Sequence, residues 1–162
     1  TFGGIGNSCA VAIEALNLLY DEALIDNAAT QGAYLLDRLA ALQRKYPSMI
    51  KDVRGQGLMV GVEFHDISRT LPPGVRQAVS VLDDKLKGSL CGFVGSLLLR
   101  EYAVLVAFTE YNRNVVRLEP PLIVGRPDVD RFVDALDDLL GRGVVRIVSD
   151  YARYAVKQRV GG

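Results

Sequence analysis

The chain has 162 residues, of which 49% are hydrophobic and 23% are charged, and these fractions are typical of a globular domain. Nineteen basic and nineteen acidic residues give a net charge of zero, which argues against a nucleic-acid partner or an anionic membrane surface. No apolar run approaches the ~20 residues that a membrane-spanning helix needs. We therefore expect one domain with an appended arm, no membrane partner and a cytoplasmic location.

The chain has two cysteines and one histidine, which is too few for a disulfide framework or a multi-histidine metal site. Cys9 and Cys91 have no neighbouring Cys or His at the spacing of metal ligands, so we expect two reduced, mostly buried thiols and no metal. His65 follows an apolar run and precedes polar residues, which is typical of a surface histidine. The sequence therefore argues against a histidine-dependent catalytic triad.

The first part of the chain has a helical pattern. Apolar residues recur at helical spacing over residues 9–24, and Asn7 or Ser8 is a natural N-cap for this helix. A second helix is predicted over residues 26–45, capped by the aspartate at its start. We predict a helical arm over residues 1–47, whose apolar surface needs a partner.

The remaining residues, 48–162, alternate between strand and helix patterns. Apolar residues of period two over residues 58–64 predict a strand, preceded by a glycine-rich turn at residues 54–57. Residues 104–108 and 115–118, with a polar turn between them, predict an antiparallel hairpin. Helical patterns cover residues 75–102, 126–140 and 144–160, and the glycine-containing stretch at residues 88–95 of the first is interpreted as a continuous helix, a break or a loop. Together they predict an α+β domain, a short antiparallel sheet with helices on one face.

The glycine-rich start of the first helix is one candidate binding site. Free backbone N–H groups and the positive end of the helix dipole favour an anion near residues 3–8, and the Thr1 hydroxyl would be a further donor. No lysine follows the glycines as in a Walker loop. The residues alone leave two interpretations open, a phosphate or nucleotide site and a plain glycine-rich helix entry.

Arg117 is the strongest candidate for binding a substrate. It lies in an apolar strand just before Pro120 and Pro121. Its guanidinium is never neutral, so it needs a carboxylate or phosphate partner. The alternative is a structural ion pair with Glu119 or Glu63.

Other charged residues have structural interpretations. Arg54, in the glycine-rich turn, is interpreted as bonding backbone carbonyls or an acid. Glu63 and Glu119 could form a catalytic carboxylate pair, but charges on a strand surface explain them more simply. Residues 146–159 form a basic amphipathic pattern, interpreted as a helix docked on its own domain rather than one that contacts an acidic lipid or partner.

Three short segments follow one another along the chain. They read TFGG at residues 1–4, DVRGQGLM at residues 52–59 and VRLEPPL at residues 116–122. In this order they resemble the C-terminal part of class III, pyridoxal-phosphate-dependent aminotransferases, the family of the ornithine, acetylornithine, putrescine and γ-aminobutyrate enzymes. The resemblance covers roughly residues 1–140. Residues 5–7 depart from it, since the family usually reads Asn-Pro-Leu there.

The resemblance implies a fold and a chemistry. The fold would be the small C-terminal domain of a fold-type-I enzyme, and residues 1–47 would link it to a large cofactor-binding domain outside these 162 residues. Thr1 would contact the pyridoxal phosphate of the neighbouring subunit in a homodimer. Arg117 would hold the α-carboxylate of a small-molecule substrate in a bidentate pair. The substrates would be an amino acid, diamine or ω-amine, and a keto acid.

None of the five lysines lies in a segment that resembles the family's Schiff-base motif. They are Lys45, Lys51, Lys85, Lys87 and Lys157. The resemblance therefore implies that the 162 residues include no catalytic residue and that the chain alone is inactive. The alternatives are an aminomutase or decarboxylase on the same scaffold, and a non-catalytic interaction module of the same fold.

Overall fold

The computed structural model describes residues 4–67, 71, 74 and 90–160, the last six of them as backbone only. Within these ranges we number the elements in chain order. They are α1 (Gly6–Asp21), α2 (Leu24–Lys45), β1 (Ile50–Gln56), β2 (Met59–Phe64), α3 (Leu90–Tyr102), β3 (Ala107–Phe108), β4 (Val115–Leu118), α4 (Arg126–Gly141) and α5 (Val144–Val160).

The two arm helices start earlier than the sequence predicts. α1 begins after Ile5, so Asn7 and Ser8 lie inside its first turn, and no side chain caps it. α2 begins after Ala23, which adopts a left-handed φ of 49°, and Asp26 lies in its first turn. An aspartate there still stabilises the helix, because its negative charge is attracted to the positive end of the helix dipole.

The two arm helices differ in what they bury. α1 has no buried residue, and side chains such as Val11 and Ile13 are exposed along it. The second half of α2 instead buries Leu35, Leu39 and Leu42 against the rest of the domain. α2 thus shares the core of the sheet, whereas α1 leaves its apolar residues uncovered within the described part of the chain.

The four strands form one antiparallel sheet in the order β1-β2-β4-β3. The predicted turn at residues 54–57 is wrong, because Arg54 and Gln56 belong to β1 and pair with β2. The two glycines of this segment suggested a turn, but only Gly57 has a positive φ, and it lies in the turn between β1 and β2. Residues 104–106 are not paired, so β3 is also shorter than predicted.

Helices cover one face of the sheet, as the sequence predicts. The inward side chains of the strands include Val60, Val62, Phe64, Val116 and Leu118. They pack against the apolar faces of α2, α3 and α4 in one core. The apolar stripe of α4 lies where its helical spacing places it, with Val129, Val133, Leu136, Leu139 and Leu140 buried and Phe132 partly buried.

One glycine sets how closely an arm helix approaches the sheet. A Cβ atom at Gly32 of α2 would lie 2.1 Å from the carbonyl oxygen of Gly57. Real Cβ atoms essentially never come this close to backbone, so α2 crosses the β1–β2 turn at a position where only glycine fits.

The predicted helix over residues 75–102 is described only from Leu90 onward, and its earlier part lies outside the described residues. From there α3 runs unbroken through Gly92 and Gly95, both of which are buried. Within the described residues, no helix combines the length and the apolar character needed to cross a membrane.

The last helix docks on its own domain, as predicted. Ile147 and Val148 of α5 are buried in the core. The ring of Tyr151 lies 5.0 Å from that of Phe93 in α3. Arg142, just before α5, forms an ion pair with Glu101 at 2.8 Å, so polar and apolar contacts both hold this end of the chain against α3.

Candidate functional site

Arg117 lies on the face of the sheet that no helix within the described residues covers. Successive side chains of a strand point to opposite faces, and its neighbours Val116 and Leu118 are buried on the inner face. In the register of the sheet, Arg117 lies between Gly61 of β2 and Ala107 of β3. Its side chain is 49% exposed, so the guanidinium is open to a ligand from outside this domain.

Arg117 has one ion-pair partner in the described part of the chain. Its Nε atom lies 3.2 Å from Oε1 of Glu119. This is the structural ion pair that the sequence analysis left as an alternative. It engages one edge of the guanidinium, however, and neither terminal nitrogen has a partner among the described residues. Those two nitrogens can still bind a carboxylate.

A cavity of about 720 Å³ lies beside Arg117, between β3, the end of β4 and the start of α4. Its volume is within the range of about 300–1,000 Å³ that small-molecule sites occupy. Apolar side chains form most of its wall, among them Leu105, Val106, Leu118, Ile123, Val129 and Phe132. The charged residues in its lining are Arg117, Glu119, Asp128 and Arg131.

Asp128 and Arg131 both belong to the first two turns of α4. Asp128 accepts a hydrogen bond from the backbone N–H of Gly125 at 3.3 Å, which completes a cap on the helix. Arg131 donates through one terminal nitrogen to the backbone carbonyl of Tyr102 at 3.0 Å. Neither residue stands out as a binding candidate in the sequence, because helical spacing identifies the buried stripe and not the exposed positions that line a cavity.

Glu63 is the most strongly paired carboxylate on the outer face. It accepts hydrogen bonds from Nζ of Lys51 at 2.7 Å and from Nη1 of Arg54 at 2.8 Å. These two bonds lower the pKa of Glu63 from 4.5 to about 2. Arg54 also binds Asp52 at 2.5 Å, which agrees with its structural interpretation, although it lies in strand β1.

Glu63 and Glu119 do not form a catalytic pair. Glu63 is held by Lys51 and Arg54, whereas Glu119 is paired with Arg117. A carboxylate with a pKa of about 2 is ionised at neutral pH and cannot donate a proton there. The structure therefore favours the structural interpretation of both residues.

The predicted anion site at the N-terminus lies mostly outside the described residues. Thr1 is one of those outside, so its contact with a cofactor phosphate stays a prediction. Gly4 is described, with a φ of 82° that suits a glycine turn before α1. His65 is exposed, as predicted.

The lysines that the structure describes with side chains do not suit a covalent cofactor site. Lys45 lies 2.7 Å from Asp137, whose hydrogen bond raises the pKa of the lysine, and Lys51 lies 2.7 Å from Glu63. A Schiff base forms on a neutral amine, whereas the ion pair with Asp137 favours the charged form of Lys45, and Lys51 is engaged in its own ion pair. The side chains of Lys85, Lys87 and Lys157 lie outside the described part.

The cysteines differ from the prediction in one respect. Cys91 is buried and its burial raises the pKa of the thiol to about 12, so it is unreactive. Cys9 is exposed rather than buried, because the face of α1 that carries it has no cover in the described part of the chain. No group of three or more potential ligand side chains in the described ranges could hold a metal ion.

The family model described as Aminotransferase class-III matches residues 1–140, which leaves α5 beyond the match. The chain is 34% identical over 137 residues to "Alanine--glyoxylate aminotransferase 2 homolog 2, mitochondrial" of Arabidopsis thaliana, covering 85% of this chain and 26% of that protein. It is 38% identical over 130 residues to the ornithine aminotransferase of Bordetella pertussis, covering 80% of this chain and 25% of that protein.

Among solved structures, an amine transaminase from an uncultivated Pseudomonas species, in its pyridoxal-phosphate-bound form, matches with a TM-score of 0.60 and 30% identity. The match covers 83% of this chain and 27% of that one. The chain thus spans about a quarter of the length of the curated relatives it matches.

Proposed function

The chain belongs to the class III aminotransferases, and from this premise we propose that it is the small C-terminal domain of a pyridoxal-phosphate-dependent amino-transfer enzyme. Residues 1–47 form the arm that joins it to a cofactor-binding domain, and residues 48–162 form the domain itself. The fold agrees with this assignment, because the structure is similar to that of the amine transaminase in its pyridoxal-phosphate-bound form.

Arg117 carries the proposal. It combines a half-exposed guanidinium, two terminal nitrogens without a partner in the described part, and a position at the wall of a cavity of ligand size. A guanidinium fork of this kind binds a carboxylate through two parallel hydrogen bonds. Arg117 thus orients the carboxylate of an amino acid or keto acid, and Glu119 holds the other edge of the guanidinium.

The cofactor supplies the electron sink of the reaction when it is bound. The lysines described here do not fit its covalent attachment, so we assign that lysine to another part of a longer polypeptide. Thr1 contributes to the phosphate site of a neighbouring subunit in a homodimer, in the cytoplasm. In this assignment the 162 residues bind and orient substrate but do not transfer an amino group by themselves.

Reduction with borohydride in the presence of pyridoxal phosphate, followed by intact-mass measurement, tests this assignment. The 162-residue chain should gain no stoichiometric adduct, and the full-length gene product should gain one, on a lysine outside these residues. Complete and selective labelling of one of the five lysines here would contradict the proposal.

A second test concerns Arg117 itself in the full-length gene product. Arg117→Gln should lower kcat/KM for a keto acid acceptor by about 10- to 100-fold, as expected for a lost charge-assisted bidentate contact. Arg44→Gln is the matched control, because Arg44 is exposed at the end of α2, away from the cavity. Products of decarboxylation or of amino migration, with no amino transfer, would favour the other two activities of this scaffold.

A further inference from the structure

The segment that joins β4 to α4 forms part of the cavity wall. It covers residues 119–125, and those that line the cavity are Glu119, Pro120, Pro121, Ile123 and Val124. The segment lies between the end of a strand and the start of a helix, so neither a sheet ladder nor helical hydrogen bonds fix its course. The contacts that hold it therefore decide the shape of the cavity beside Arg117.

Asn27 of α2 holds this segment from the side. Its Nδ2 atom donates two hydrogen bonds, one to the carbonyl oxygen of Leu122 at 2.6 Å and one to that of Val124 at 3.1 Å. Both carbonyls belong to the turn that the N–H of Val124 closes by donating to the carbonyl of Pro121 at 2.9 Å. A side-chain amide has two N–H donors, so Asn27 uses both of them on this turn.

The position of Asn27 is itself well fixed. It lies in the first turn of α2, where its backbone N–H donates to the carbonyl of Ala23 at 3.0 Å. Its Oδ1 atom accepts a hydrogen bond from Gln31 at 3.4 Å. Further along the same helix, Gly32 packs so closely on the β1–β2 turn that no side chain fits between them. α2 thus provides an anchored base from which Asn27 reaches the segment.

Two prolines connect the turn to the ion pair of Arg117. Pro120 and Pro121 lie between Glu119 and Leu122. Proline has a fixed φ, and a residue that precedes a proline is restricted to extended backbone. Little conformational freedom therefore remains between the carbonyl of Leu122 and the backbone of Glu119. The carboxylate that contacts Nε of Arg117 at 3.2 Å thus depends on where the turn is held.

We propose that Asn27 is a positioning residue for Arg117. It holds Leu122 and Val124, which fixes the cavity wall and the backbone of Glu119, and Glu119 in turn orients one edge of the guanidinium. Asn27 is not part of the cavity lining, so it acts through these residues and not on the substrate. This role deepens the proposed function and rests on it for the carboxylate that Arg117 binds.

A double-mutant cycle in the full-length gene product tests this role. Asn27→Ala should lower kcat/KM for a keto acid acceptor by about 5- to 20-fold, mainly through a higher KM, as expected for two lost hydrogen bonds that orient a binding group. In the Arg117→Gln background, Asn27→Ala should lower kcat/KM by less than about twofold, because the residue through which it acts is already gone. Equal losses in both backgrounds would mean that Asn27 serves only the fold, and would overturn the proposal.

Asn27→Asp separates the lost donors from lost volume. Aspartate has nearly the same shape, but its carboxylate cannot donate to the carbonyls of Leu122 and Val124. Its charge is favourable in the first turn of a helix, so α2 itself should not be weakened. Asn27→Asp should therefore lower kcat/KM at least as much as Asn27→Ala, and wild-type kinetics in this variant would contradict the role of the two hydrogen bonds.

Thr30→Ala is the matched control on the same helix. Thr30 is exposed on the next turn of α2, so its substitution should leave kcat/KM within about twofold of the wild-type value. Circular dichroism of each variant checks that the fold is unchanged.

Hydrogen exchange on the 162-residue chain examines the structural step alone. The backbone N–H of Val124 should exchange about tenfold faster in Asn27→Ala, because the turn that contains it loses its support. The N–H of Val62, in the middle of the sheet, should exchange as in the wild type. Unchanged exchange at Val124 would overturn the role of Asn27.

The outcomes separate this role from the proposed function. A loss of activity in Arg117→Gln, together with additive effects of the two substitutions, would overturn the role of Asn27 alone. Unchanged kcat/KM in Arg117→Gln would contradict the carboxylate-binding role of Arg117, and the positioning role of Asn27 would be overturned with it.

Discussion

The two faces of the sheet are built from the same strands but differ in burial and in charge. The inner face carries Val60, Val62 and Val116, which are nearly fully buried against helices. The outer face carries Glu63 and Arg117, which are held in ion pairs. The inner face provides stability through removal of apolar surface from water, whereas the outer face carries the charged residue to which we assign ligand binding.

In the proposed function, this division lets one short sheet serve both stability and binding. A strand places alternate side chains on opposite faces, so a change at Arg117 leaves the packing of its neighbours Val116 and Leu118 intact. The two faces should therefore respond differently to substitution. Three experiments on the 162-residue chain examine that difference, in order of decreasing expected effect.

The largest effect is expected in the core, and α3 offers a matched pair of adjacent leucines. Leu98 is 0% exposed and Leu99 is 50% exposed. Leu98→Ala should lower the free energy of unfolding by about 2–5 kcal/mol, since it removes buried methyl groups and leaves a cavity. Leu99→Ala should cost less than about 1 kcal/mol. Urea unfolding followed by circular dichroism measures both, and equal losses would contradict the placement of α3.

An intermediate effect is expected at Glu63, the best-paired acid of the outer face. Glu63→Gln should cost about 1–2 kcal/mol at pH 7, because its two cationic partners are partly exposed and solvent weakens the pairs. The folded-state pKa is lowered from 4.5 to about 2, so the contribution is fully present above pH 4.5 and is lost as the pH falls towards 2.

The pH dependence provides the sharper measurement for Glu63. Urea unfolding at several pH values should show a steeper loss of stability below pH 4.5 in the wild type than in Glu63→Gln. Glu14→Gln is the control. Glu14 is exposed on α1, so its substitution should leave the loss of stability below pH 4.5 unchanged. The same loss of stability below pH 4.5 in the wild type and in Glu63→Gln would show that the two ion pairs do not stabilise the fold.

The smallest effect on stability is expected at Arg117. Its single ion pair with Glu119 joins two side chains that are 49% and 42% exposed, and such pairs contribute about 0–1 kcal/mol. Arg117→Gln should change the free energy of unfolding by less than about 0.5 kcal/mol. A loss as large as that of Leu98→Ala would mean that Arg117 serves the fold, and the proposed binding role would lose its basis.

Much of the fold can be predicted from local pattern. The period of two over residues 58–64 and the helical stripe of α4 mark their buried faces, because burial against one surface imposes that periodicity. β1 has no such signal. Its residues are mostly charged or glycine and only partly buried, so pairing with β2 rather than local preference makes it a strand.

The helix starts are a second limit of local reasoning. Asn7, Ser8 and Asp26 are good N-caps by residue type, yet α1 and α2 begin before them. A cap contributes only about 1 kcal/mol, and one additional turn or a close crossing such as that at Gly32 can outweigh it.

The sequence by itself determined the family, through three short segments in a fixed order. It also determined the buried faces of the long elements and indicated Arg117 as the candidate substrate-binding residue. Tertiary structure alone decided which nitrogens of Arg117 have no partner in the described part of the chain, and which residues share its cavity. Arg131 belongs to another element than Arg117, and both residues line one cavity. Such proximity depends on non-local packing of apolar faces, which leaves no local trace in the order of the residues.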